Sequence, residues 1–139
     1  MKIIVLGATS EIAEAACVSL AADKASFLLV GRRADRLSSV ADNLKVLGAA
    51  DALVATADLA SVDPVSALAE WAGQLGGVDA VLLAYGQLGE QEHLAADLAA
   101  ARTLIGVNYA SAAGWCLAAA SMLDAQNKGL LIVIGSVAG

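Results

Sequence analysis

KIIVLGATSEIAEA, residues 2–15, decides the fold. Ile3 to Leu6 form an apolar run of strand length, Gly7 breaks it, and from Ser10 onward the pattern turns helical. A strand, a glycine turn and a helix open a βα unit, and the helix start near Ser10 directs unpaired backbone amides at whatever lies above the turn. Read alone, the turn fits a bound phosphate, but it fits an ordinary strand-to-helix connection capped by Ser or Thr as well. Of the three glycines in a dinucleotide fingerprint only Gly7 is present, because Glu11 and Ala13 hold the other two places.

The alternation continues outward from this unit. Apolar, β-rich runs at 2–6, 26–30, 52–56, 80–84 and 130–134 predict strands, and Ala-rich segments at 10–22, 35–47, 64–75 and about 95–125 predict helices. Leu37, Val40, Leu44 and Leu47 recur at helical spacing with Gly48 as the stop signal, and Asp63-Pro64 is a helix entry. Strands alternating with helices imply an α/β fold: a doubly wound, Rossmann-like parallel sheet of five strands with helices on both faces. One domain fits in 139 residues. No internal repeat or linker interrupts it, and the segment from Tyr85 to His93 is the one loop of unusual composition.

Hydrophobic residues make up 59% and charged residues 16%, the balance of a folded chain and not a disordered one. The net charge of −6 and the 4% aromatic content argue against a nucleic-acid partner, which needs basic surface and stacking platforms. Residues 103–123 carry no charge and are long enough to cross a bilayer. Their Ala, Gly, Ser and Asn content predicts a buried helix instead, with no membrane partner. Glu11 and Glu14 come too early for a signal peptide, so a cytoplasmic location is expected. Cys17 and Cys116 lack ligand spacing and are expected to be small core residues. His93, the single histidine, leaves no catalytic triad to build, and Glu90 and Glu92 beside it read as a solvated loop, so no metal site is expected.

Ligands of such sheets sit beyond the carboxyl ends of the strands. After the second run, Gly31 stands where an acid would select an unphosphorylated nicotinamide cofactor. Arg32 and Arg33 suit a 2′-phosphate or, blandly, a solvated turn. After the third, Asp58 can accept from an adenine amino group or cap the next turn. Read together, GATSEIA, GRR, ADL, AYG, VNYASAAG and VIGSVAG appear in order, and the whole chain resembles the amino-terminal part of a short-chain dehydrogenase/reductase. The resemblance implies that Gly7, Thr9, Ser10, Glu11 and Ile12 surround the pyrophosphate of NADP. It implies that Arg32 and Arg33 hold the 2′-phosphate, that Asp58 and Leu59 frame adenine, and that Ala84, Tyr85 and Gly86 line the cofactor. Asn108 matches the asparagine that supports the proton relay, and Ser136 the serine that steadies the substrate carbonyl.

The implied activity is NADP(H)-dependent hydride transfer with a ketone or secondary alcohol. GATSEIA, AYG and SVAG resemble bacterial members that include lipid-linked keto-sugar reductases, which suggests a sugar-derived substrate. Departures from the family pattern are Glu11, whose charge opposes a pyrophosphate unless it turns away, Ala13 for the last glycine, and Ala84 for the usual asparagine. The family's Tyr-x-x-x-Lys pair is absent, and the expectation is that it lies past Gly139 with the carboxyl-terminal part of the domain, leaving these residues inactive alone. The alternative is a noncatalytic module that binds a dinucleotide or dimerises through the uncharged helix, with Tyr109 and Trp115 as anchors; a homo-oligomer is expected. An unpaired edge strand points to association or to further sequence.

Overall fold

The computed structural model describes residues 1–135. Five strands, β1 (Lys2–Leu6), β2 (Ser26–Gly31), β3 (Asp51–Thr56), β4 (Ala80–Leu83) and β5 (Leu130–Val133), form one parallel sheet in the order β3-β2-β1-β4-β5. The order reverses at β1, because the chain winds outward through β2 and β3, then returns to place β4 on the other side. That reversal opens a crevice between the loops that follow β1 and β4.

Alternation along the strands feeds two cores. Ile3, Val5, Phe27 and Leu29 face α1 (Glu11–Ala21) and α2 (Ala34–Val46). Ile4, Leu6, Leu28 and Val30 face α3 (Pro64–Leu75) and α6 (Ala112–Ala125). Ala13 and Cys17 bring α1 close to the first face, and both are buried, so a methyl replaces the expected glycine without opening a gap. On the second face Trp71 and Trp115 stack with centroids 5.5 Å apart and planes 4° from parallel. Helix ends follow local chemistry. Asp63 accepts a 2.8 Å bond from the Ser66 amide before Pro64 opens α3, and Gly48 (φ +110°) takes the left-handed turn after α2.

The predicted helix at about 95–125 is divided. Part of the expected loop is helical, as α4 (Gln91–Ala96), and Asp97 then accepts bonds from the Ala99 and Ala100 amides and so restarts the helix. From there α5 (Leu98–Ile105), a π-helical segment (Gly106–Ser111) and α6 run on continuously as Leu98–Ala125. This helix passes as a candidate membrane span by length and composition, but it is not buried as expected: only 11% of its most apolar window is covered. One stripe, Trp115, Ala119 and Leu123, packs on the sheet, while Tyr109 and Leu117 are each 73% exposed. A helix on an outer layer buries only the face turned to the sheet. Trp115 therefore belongs to the core and offers no anchor to a second copy, whereas Tyr109 remains available. Cys116 is half-buried against the second core.

Candidate functional site

A cavity of about 310 Å³ lies at the carboxyl ends of β1 to β4. Gly7 shapes its floor. The turn takes φ +86°, and a Cβ there would come within 2.6 Å of the Tyr85 Cβ, so both conformation and space require glycine. The Gly7 and Ala8 amides donate to the Val30 carbonyl at 3.0 Å, and Ser10 N donates back to the Gly7 carbonyl at 3.0 Å. Thr9 and Ser10 thus line the cavity at the start of α1. The Ser10 hydroxyl makes no capping bond, which leaves first-turn amides of α1 open to an anion.

The second wall carries the positive charge. Gly31 and Arg32 line the cavity after β2, while Arg33, exposed at the start of α2, does not. Glu11 and Ile12 are also exposed, and neither is among the residues that line the cavity. Glu14 in the same helical turn pairs with Arg36 at 3.2 Å.

Asp58 and Leu59 line the third wall. Asp58 both borders the cavity and caps its own turn, for its carboxylate accepts from the Ala60 amide at 3.1 Å and the Ser61 hydroxyl at 2.9 Å. Those two bonds, with the Arg32 charge nearby, hold its carboxyl below the usual range against a small opposing effect of burial. The fourth wall is Ala84, Tyr85 and Gly86, followed by Gln87. Asn108 lies behind it: its Oδ1 accepts from Gln87 N and its Nδ2 donates to Gln87 O, both at 2.8 Å. Burial pushes the Tyr85 phenol above its ordinary value, and its hydroxyl lies 2.6 Å from Ser111 Oγ. Ser136 lies outside the described residues.

Reasoning from motifs missed Gln87, Val107 and the contacts of Ser111 and Trp115 with Leu59. The signal for the last two was present: Asn108, Ser111 and Trp115 are three and four residues apart, hence on one helix face. Among the described residues no cluster of metal-ligating side chains forms.

The sequence and the fold match known proteins. The family profile described as short chain dehydrogenase matches residues 1–139. An uncharacterized oxidoreductase of Streptomyces coelicolor is 34% identical over 145 residues, across 99% of this chain and 55% of that protein. A short-chain type dehydrogenase/reductase from Mycobacterium marinum superposes with a TM-score of 0.87 at 25% identity, covering 97% of this chain and 55% of its own. An NAD+-bound xylitol dehydrogenase shares the fold, with a TM-score of 0.86 at 20% identity over 99% of this chain and 54% of its own. The chain thus spans about half the length of these relatives.

Proposed function

The chain belongs to the short chain dehydrogenase family of oxidoreductases, and on that premise we propose that its cleft binds NADP(H) for hydride transfer to or from a ketone or secondary alcohol. The observation that carries the cofactor choice is Arg32 in the cleft directly after β2, beside Gly31 and with no acid at that strand end. A guanidinium there suits a 2′-phosphate; a carboxylate would suit the free ribose hydroxyls. The donor set fits the rest of the dinucleotide. First-turn amides of α1 beside Thr9 and Ser10 face the pyrophosphate, Asp58 and Leu59 flank the adenine, and Ala84 to Gly86 border the nicotinamide side.

The bound dinucleotide supplies or accepts the hydride. With the dinucleotide bound, Asn108, its side chain fixed on Gln87, would support the proton relay, and Ser136, by the motif resemblance, would hydrogen-bond the substrate oxygen. Neither tyrosine has Lys four residues on, since Gly89 and Ala113 stand there. We therefore expect these 139 residues to bind the cofactor without turning over alone. The substrate is a small carbonyl or alcohol, sugar-derived by the motif resemblance. The two free thiols suit the reducing cytoplasm. The exposed apolar face of the helix over Leu98–Ala125 favours association with a second copy.

Fluorescence titration with NADPH and NADH tests the reading. NADPH should bind about tenfold tighter or better, and Arg32→Ala should erase the difference by removing a charge-assisted contact. Equal binding of both cofactors by the parent chain overturns the 2′-phosphate assignment, and binding of neither overturns the cleft's role. Keto-sugars and simple ketones offered with NADPH to a relative-length form of the protein test the substrate. Turnover of simple ketones alone rejects a sugar.

A further inference from the structure

The cleft walls after β3 and β4 come from loops far apart in sequence, and one helix face holds both. Asn108 grips Gln87 on the β4 side. One turn later Ser111 Oγ donates to the Leu59 carbonyl at 2.8 Å, and after another turn Trp115 Nε1 donates to that same carbonyl at 2.7 Å. Two donors fill both lone pairs of the Leu59 oxygen. Tyr85 closes the circuit, with its hydroxyl 2.6 Å from Ser111 Oγ.

Counting protons fixes the direction of that contact. Serine has one hydroxyl hydrogen, and a carbonyl only accepts, so the Ser111 hydrogen goes to Leu59. Tyr85 must then be the donor to Ser111. Its own hydrogen is spent inside the protein.

We infer that Ser111 is a positioning residue for the nucleotide cleft, the node through which Tyr85 after β4 and Leu59 after β3 are held in register. The inference rests on the dinucleotide reading only for the ligand it serves; the tie between the walls stands on the contacts themselves. The π-helical segment Gly106–Ser111 carries both Asn108 and Ser111, and Trp115 follows in the first turn of α6.

The test compares the parent chain with Ser111→Ala and Ser111→Thr, the latter keeping the hydroxyl. Without ligand, amide exchange at Ala60, Ser61 and Val62 should quicken about fivefold in the alanine variant, with β1 and α3 unchanged, and stay within about twofold of the parent in the threonine variant. Affinity for adenosine 2′,5′-bisphosphate, measured calorimetrically, should fall about fivefold in the alanine variant only. Unchanged exchange in Ser111→Ala, an equal effect in Ser111→Thr, or a rise spread over β1 and α3 overturns the proposal. So does faster exchange with parental affinity. A parent chain that does not bind the bisphosphate sinks the dinucleotide reading, while the exchange data still decide the tie.

Discussion

Phe27 to Val30 in β2 read FLLV, and β5 reads LLIV. The two are nearly interchangeable in hydropathy, yet all four β2 residues are fully buried, whereas Leu130, Ile132 and Val133 are exposed at 57%, 42% and 49%. β2 lies between β1 and β3 with helices over both faces; β5 lies at the rim beside β4, with one side of its ladder open among the described residues. Hydropathy makes a strand, and position in the sheet decides whether it is covered. The same contrast separates the two ends of the function. The cleft is built where strands are central, and an exposed apolar surface lies on β5 and the outer side of α5 and α6.

The most direct attempt to break this comparison is a matched pair of truncations. Leu28→Ala should cost about 2–5 kcal/mol in urea unfolding, because the cavity it leaves is enclosed, and Ile132→Ala less than about 1 kcal/mol. Equal losses would mean that β5 is covered in solution. A smaller contrast concerns the thiols. Burial, helped by the Glu14 charge, pushes Cys17 up to about 12, so at pH 8 it is almost wholly protonated and shielded. Cys116 is partly accessible. A disulfide reagent at pH 8 under native conditions should label Cys116 first and Cys17 far more slowly; raising the pH toward 10 should speed Cys17 labelling. The mildest effect sharpens the outer-face half. Leu117→Glu on the exposed side of α6 should shift sedimentation toward monomer while stability stays within about 0.5 kcal/mol of the parent. A monomeric parent would remove association from the picture.

Much of this was legible in order of strength of signal. Gly7 announced its turn because a positive φ leaves glycine little competition, and Asp63-Pro64 and Gly48 marked helix ends by equally local chemistry. Asp97 carried a capping signal of the same kind, but Ala-rich sequence on both sides hid it within an apparently single helix. Among the site residues, Arg32 and Asp58 followed from their place after a strand. Arg32 and Arg33 were not separable, since which of two adjacent side chains faces the cleft depends on how the chain turns into α2.

The sequence by itself determined the alternation of strands and helices, the glycine turn after β1 and the motif order that marks the family. Each depends on residues near one another in the chain, where sterics, capping and periodicity act directly. Only the tertiary structure decided which apolar strand is covered, that the uncharged helix keeps one face open, and that Glu11 is not among the residues lining the cleft. It alone joined Ser111 and Trp115 to Leu59, more than fifty positions away. Those outcomes turn on neighbours supplied by distant segments, and a carbonyl in one loop carries no mark in the sequence of the side chains that will reach it.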